Sequence, residues 1–426
     1  MSLHIAVILP ERYRGGTLRG AKNIARMLSH GARKSGDKVR VTFGHIDDDT
    51  IYEPSDFRDL RAAGIGVRPF RLDTMRAEYL NPYFKSGVIP SQPTSNGEYL
   101  VFNDGMSNFE EADFWVLVSD RVFHPLPAHR RYAVVVYDYI QRYVPGIFGL
   151  DAASEGAWRA FDQFAKTAAK ADFVICTTHQ TRQDCISYTG TAADRVHVFP
   201  MEFDPIAQNK LPDATAIDGE GEEAPYLLWT TNSTEHKNHI NLLEGLERFF
   251  RANPTSNLKV RMSGVYTHLF TESGKGDKHF DLPYPKKVRR KLQELPLLSK
   301  RLSIVGNVPD DQYLGQLRGA AFVLHGALYD NGTYSVVEGA WMGVPSISSD
   351  YPAMREVSRN FSLPLSFFDP RDPDSIAQTI ASAVRDRDAM VRVMPSQQTL
   401  QQRSFEVVAP QYWEKFVAAV RRVERF

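Results

Sequence analysis

The sequence predicts an α/β protein of two doubly wound domains in succession. Three observations carry this. Short, continuous, β-branched runs alternate with helical patterns in the first half of the chain. A second alternation of the same kind follows a polar stretch without periodicity. A chain of 426 residues exceeds what one ordinary core organises and suits two domains.

The first strand is His4 to Leu9, so near the start that a chain without a signal peptide is expected. Gly15-Gly16 form a turn, and Leu18 to Lys34 read as a helix with Leu18, Ala21, Ala25, Leu28 and Ala32 on one face. Val39 to Phe43 is the next strand. Phe114 to Val118, Ala133 to Tyr137 and Phe173 to Cys176 read as buried parallel strands, with a helix over Trp158 to Ala171 between the last two. These elements make a first domain over 1–204. Residues 205–224 form the linker, since Asp213 to Glu223 is rich in Asp, Glu, Gly and Ala. The second domain, 225–404, has strands at Tyr226 to Thr230, Leu258 to Met262, Leu302 to Val305 and Ala321 to Leu324, and a helix over Asn238 to Phe250. Thr267 to Lys300 is an insertion with one helix, carrying Lys286, Lys287, Arg289, Arg290 and Lys291. Phe405 to Val423 reads as a helix with an apolar face that includes Trp413 and Phe416. The segment Phe102 to Phe109 is unusual for a plain loop; lining of an acceptor cleft is one reading, with no mechanism attached to it.

Lysine plus arginine equals aspartate plus glutamate, 51 each, so bulk charge gives no case for nucleic acid. No apolar run is long enough to span a bilayer. Cys176 and Cys185 lack metal-ligand spacing and read as reduced thiols of a cytoplasmic protein. Basic residues cluster from Arg12 to Arg40, including Arg14, Arg19, Lys22, Arg26, Arg33, Lys34 and Lys38. That cluster reads either as a solvated helix face or as a surface for anionic lipid. Asp47-Asp48-Asp49 reads as a solvated loop, and no essential metal is expected.

The chemistry-bearing segment is Asp330-Asn331-Gly332-Thr333-Tyr334-Ser335-Val336-Val337-Glu338, closed by Gly343-Val344-Pro345. Two carboxylates stand eight positions apart, with a glycine turn before a short helix. Carboxylates accept hydrogen bonds from sugar and ribose hydroxyls, and the first N–H groups of a helix face anions. The layout suits a nucleotide diphosphate-sugar.

This segment resembles the acidic-x7-Glu motif of retaining glycosyltransferases of GT-B fold, in the large family that includes sucrose synthases and many bacterial mannosyltransferases (glycosyltransferase family four, group 1). The resemblance continues through Ser348 to Val357, where the family has a strand, a turn and a further acidic residue. It implies two Rossmann-like domains facing each other across a cleft, with the last helix, 405–426, bracing the first domain. Asp330 stands where the family has glutamate and would contact the transferred sugar. Glu338 would hold the ribose hydroxyls, and Gly332, Thr333 and Tyr334 would present N–H groups to the donor.

Thr231 to His239 resembles the family loop ending in Lys-Asn, which makes Lys237 the diphosphate-binding lysine. Asn232 stands where the family has arginine. Gly15 and Gly16 resemble the glycine loop near donor phosphate and acceptor, and Arg19 follows on the same side. Tyr137-Asp138 resembles the family's His-Asp step, with Tyr137 in the histidine's place and Asp138 orienting a hydroxyl. The implied reaction is front-face displacement with retention, moving a hexose, with GDP-mannose favoured, onto a glycan or lipid-linked acceptor. The implied co-substrate is a nucleotide-sugar without a further cofactor, and the implied location is cytoplasmic, peripheral on the inner membrane face. A degenerate, non-catalytic binder and a sugar-nucleotide epimerase are the alternatives.

Overall fold

A computed structural model of the chain describes residues 3–87, 97–104, 108–119, 121–122, 124–127, 130–148, 155–200, 224–331 and 334–423. The chain divides into two compact units: Met1–Tyr139, Phe148–Glu202 and Phe405–Phe426 form one, Ile140–Ile147 and Phe203–Ser404 the other. The segment 140–147, expected within the first domain, thus groups with the second unit. The expected linker, apart from Ala224, lies outside the described residues.

The first unit is built on a seven-stranded parallel sheet. Its strands are β1 (Leu3–Leu9), β2 (Val39–Ile46), β3 (Gly66–Phe70), β6 (Phe114–Val118), β7 (Tyr132–Val136), β8 (Phe173–Cys176) and β9 (Val196–Val198), in the order β3-β2-β1-β6-β7-β8-β9. Between β3 and β6 the chain makes an antiparallel pair, β4 (Leu72–Arg76) and β5 (Glu98–Phe102). Helices cover both faces of an all-parallel sheet, so its central strands are apolar throughout. Ile5 to Leu9 and Phe114 to Val118 accordingly are buried along their whole length. The order reverses beside β1, where Val7 lies between Phe43 of β2 and Val116 of β6.

The first helix, Gly16–Lys34, lies against the C-terminal helix, Phe405–Val423. Gly31 permits the close crossing, because a Cβ there would lie 2.2 Å from the Ala409 carbonyl oxygen. Trp413 Nε1 donates to Asp37 Oδ2 at 2.7 Å, and Lys34 pairs with Glu406 at 3.0 Å. Of the stretch Phe102 to Phe109, residues 105–107 lie outside the described residues, and the two end rings belong to the core. Both are buried and pack on Phe70 and on each other, and Phe102 also packs on Trp115, with ring centroids 5.2 to 5.9 Å apart. An apolar core claims these rings because each removes a large area from water.

The second unit repeats the plan with six parallel strands: β10 (Tyr226–Thr230), β11 (Lys259–Ser263), β12 (Leu302–Gly306), β13 (Phe322–His325), β14 (Ser346–Ser349) and β15 (Ser366–Phe368). Their order is β12-β11-β10-β13-β14-β15, reversing between β10 and β13. The helix His239–Ala252 buries Leu242, Leu243, Leu246, Phe249 and Phe250 in this core. The insertion holds more than the single helix expected: 3-10 turns at Thr267–Phe270 and Glu272–Gly274 precede helices Pro283–Gln293 and Pro296–Ser299. Part of its basic character is spent internally. Arg289 donates to the Leu269 carbonyl at 2.6 Å and covers the Phe280 ring, and Lys291 pairs with Glu244 at 2.7 Å.

Candidate active site

In open parallel sheets, ligands bind outside the carboxyl ends of the strands, where the strand order reverses. In the second unit that point lies between β10 and β13. The loop after β10 carries Lys237 and the loop after β13 carries Asp330, so residues 93 apart in sequence meet: Lys237 Nζ donates to Asp330 Oδ2. Their side chains are 18 % and 10 % exposed.

Each loop has a local reason for its course. The Asn232 side-chain oxygen accepts from the Thr234 N–H at 3.0 Å and from the Thr234 hydroxyl, a turn that Asn forms readily. A 3-10 turn, Glu235–Lys237, follows and ends at Asn238, whose φ of 63° and ψ of 35° are left-handed. Asn tolerates that region better than most residues, and its side-chain amide is held by the Pro370 carbonyl at 2.7 Å. The Leu328 N–H donates to the His236 carbonyl at 2.8 Å and ties the two loops together. Gly264, after β11, has φ of 139°, and a Cβ there would lie 1.8 Å from the Thr231 carbonyl oxygen. Only glycine lets the β11 loop lie so close to the end of β10.

Around the ion pair the side chains are buried and largely aromatic. Burial alone would raise the Asp330 carboxyl, but Lys237, His236 and His325 outweigh it and hold it at about 2. Asp330 Oδ1 also accepts from the Asn331 N–H at 2.9 Å. His325, last residue of β13, shares a 2.9 Å hydrogen bond with the Tyr351 hydroxyl. Burial pushes it down to about 4, with Asp330 opposing and Lys237 adding to the shift. His239 is fully buried between Thr231, at 3.1 Å, and the Tyr284 hydroxyl, at 3.0 Å. Burial, with His236 and Lys237 nearby, brings it to about 3, so both histidines are neutral at pH 7. Tyr329, next to Asp330, stacks on Tyr143 of the 140–147 segment, with centroids 3.7 Å apart.

Glu338 stands on the helix Tyr334–Trp341, which is buried from Ser335 onward. That helix lies tightly on β13, since a Cβ on Gly339 would be 2.8 Å from Val323 Cγ2. Glu338 is 2 % exposed, and its Oε2 accepts from the Tyr313 hydroxyl at 2.8 Å. Gly343, with φ of 71°, ends the turn before Val344-Pro345. Tyr334 opens the helix, half-buried, while Gly332 and Thr333 lie outside the described residues. One cation and two buried carboxylates, on loops fixed by hydrogen bonds, suit a ligand that joins an anionic group to neutral hydroxyls.

The remaining sequence-derived residues belong to the first unit. Gly15 precedes the first helix with φ 62° and ψ −135°, a conformation open to glycine, while Gly16 has open space where its Cβ would stand. Arg19, half-buried, donates its N–H to the Gly15 carbonyl at 3.0 Å. Asp138 accepts from Arg121, which follows β6. Tyr137 is half-buried against the core, and its carbonyl accepts from the Thr181 hydroxyl at 3.2 Å. Much of the basic cluster is paired within the unit: Arg12 with Asp48 at 2.7 Å, Arg14 with Asp56 at 2.8 Å, Lys22 with Asp59 at 2.9 Å. Asp47 of the acidic run pairs with Arg71 at 2.8 Å.

Tyr313, His325, Tyr351 and Tyr284 were not singled out from sequence. A histidine ending a buried strand, as His325 does, was the one available signal. Tyr313 offers none, because it sits in an ordinary amphipathic helix, Asp310–Gly319.

Residues 213–400 match the family model described as Glycosyl transferases group 1. No curated protein matches the chain by sequence. Among solved structures, HepE of Anabaena in complex with UDP-glucose is similar over 98 % of this chain and 100 % of its own, at 13 % identity and a TM-score of 0.64. The sucrose-phosphate synthase of Thermosynechococcus elongatus is similar over 98 % and 99 %, at 14 % identity and a TM-score of 0.61. The lipopolysaccharide outer core galactosyltransferase WaaB, in its apo form, is similar over 99 % of each chain, at 11 % identity and a TM-score of 0.55. The architecture is that of the GT-B proteins, and the segment similar to the glycosyl transferases group 1 model falls within the second unit.

Proposed function

We propose that the protein is a retaining glycosyltransferase that moves a hexose from a nucleotide diphosphate-sugar to a glycan or lipid-linked acceptor. The observation that carries this is the meeting of Lys237 and Asp330 at the strand-order reversal of a group 1 domain, with Glu338 buried on the following helix. Lys237 neutralises the leaving diphosphate, Asp330 accepts from sugar hydroxyls, and Glu338 accepts from the ribose. The bond between the anomeric carbon and the phosphate oxygen breaks first, and its electron pair leaves with the diphosphate. The acceptor oxygen then bonds to the anomeric carbon on the same face, and its proton passes to a phosphate oxygen. Positioning and electrostatic stabilisation supply most of the catalysis.

In this reading no metal is required, because Lys237 and the N–H groups at the helix start meet the diphosphate. The favoured donor is GDP-mannose. HepE was solved with UDP-glucose, so UDP-hexoses belong in the same screen. A cytoplasmic protein at the inner membrane face fits the same reading. No helix among the described residues is long and apolar enough to cross a membrane. Arg33, Lys38 and Arg40 are exposed basic groups of the cluster beyond the pairs made by Arg12, Arg14 and Lys22, and in this reading they would face an anionic surface.

The test is transfer from GDP- and UDP-sugars to a panel of glycans, with the anomeric configuration of the product read by NMR. Retained configuration is the expected result. Donor binding without turnover on any acceptor would favour the degenerate binder, motivated by Asn232, Tyr137 and Asp330. Donor isomerisation with no acceptor present would favour the epimerase.

A further inference from the structure

We propose that Tyr313 is a positioning residue for ribose recognition, setting how strongly the site prefers a ribonucleotide over its 2′-deoxy analogue. The inference rests on the donor reading above and extends it to a side chain outside the motif. Tyr313 comes from the helix after β12, whereas Glu338 comes from the helix after β13. Its ring packs against the apolar cluster of Tyr226, Leu228, Leu314, Leu317, Val323 and Val344. Its hydroxyl reaches Glu338 Oε2 at 2.8 Å.

The chemistry follows from this geometry. A glutamate has three side-chain torsions, and a hydroxyl held by a rigid, two-torsion side chain restrains the orientation of its carboxylate. A carboxylate offers about four lone-pair positions, so accepting from the phenol is compatible with accepting from a sugar diol as well. Burial of Glu338 makes that orientation consequential, because hydrogen bonds in a dry site depend steeply on geometry. Tyr313 thus acts through Glu338 and needs no contact with the transferred sugar.

The experiment is calorimetric titration of UDP, GDP and their 2′-deoxy forms into the full chain as wild type, Tyr313→Phe, Glu338→Gln and the double variant. Whichever base binds, the wild type is expected to favour the ribonucleotide about tenfold or more. Tyr313→Phe is expected to shrink that ratio several-fold, and in the Glu338→Gln background it is expected to change nothing further. The ratio is read on one folded population below the melting temperature of every variant, so a loss of stability does not move it. Equal weakening of ribo- and deoxyribonucleotide by Tyr313→Phe, or an unchanged ratio, would overturn the inference and leave the donor reading standing. Failure of the wild type to bind any nucleotide would overturn the donor reading, and the inference with it.

Discussion

The two parallel sheets share a plan and differ at the same place in it. In each, the first strand lies centrally and the order reverses beside it, between β1 and β6 in one and between β10 and β13 in the other. At the reversal of the second sheet, Lys237 and Asp330 are nearly buried among His325, Tyr329 and Tyr351. At the corresponding reversal of the first sheet the charges are mixed in exposure: Arg121 and Asp138, paired after β6 and β7, are 30 % and 11 % exposed, whereas the arginines after β1 face outward. Arg12 is 62 % exposed in its pair with Asp48, and Arg14 is 43 % exposed in its pair with Asp56. A buried pair is a weak source of stability, because desolvation offsets its attraction. Its presence at a ligand-binding position is better explained by what it is prepared to bind. On the proposed reading the reversal of the second sheet is where the donor is recognised, through Lys237, Asp330 and Glu338.

Substitutions can break that contrast. The largest effect is expected for Glu338→Ala, which on the proposed reading removes two hydrogen bonds to the ribose. Hydrogen bonds to a charged group contribute about 1.5 kcal/mol each, so nucleotide affinity should fall roughly 100-fold by calorimetry. Asp330→Asn should preserve nucleotide affinity and lower transfer, and equal loss of binding in both variants would break the division of roles.

Lys237→Ala should weaken diphosphate binding and cost about 3 kcal/mol in urea unfolding, because it strands a buried carboxylate. Adding Asp330→Asn to it should recover part of that loss. In the first unit, Gly31→Ala drives a Cβ into the Ala409 carbonyl and should cost about 2 kcal/mol, with donor affinity unchanged.

A pH series sharpens the comparison further. His239 and His325 titrate in the folded state at about 3 and about 4, below the ordinary 6.5. Between those values the unfolded chain binds more protons, so stability should fall as pH drops from about 6.5 to 4. His239→Gln should make that slope shallower, and a flat profile in the wild type would contradict the buried, neutral histidines. The smallest effect belongs to Arg12→Ala, for which no measurable change in melting temperature or donor affinity is expected.

Legibility in the sequence followed burial pattern. β1, β6, β8 and β10 were readable because parallel strands covered on both faces are continuous apolar runs. β3 was not readable, because Arg68 and Pro69 interrupt an edge strand that needs no such run. β14 was signalled only by the resemblance, which puts a strand at Ser348, because Ser346, Ser348 and Ser349 are buried polar residues that no hydrophobic pattern reveals. The Lys237 and Asp330 loops could be named from motif resemblance, but their meeting depends on strand order, which a linear sequence does not display. Asn232 shows the converse. Its side-chain oxygen serves Thr234 within its own loop, a local role that the family alignment of positions gave no hint of.

The most direct test of the central claim is a thermal-shift comparison of wild type, Lys237→Ala and Glu338→Ala with UDP, GDP and dTDP, free and as sugar conjugates. At tenfold above its dissociation constant, a true donor should stabilise the wild type by about 1.4 kcal/mol. The account predicts a shift selective for one base in the wild type, reduced by Lys237→Ala and lost in Glu338→Ala. A folded wild type that responds to no nucleotide, or a shift that both variants retain in full, would contradict it.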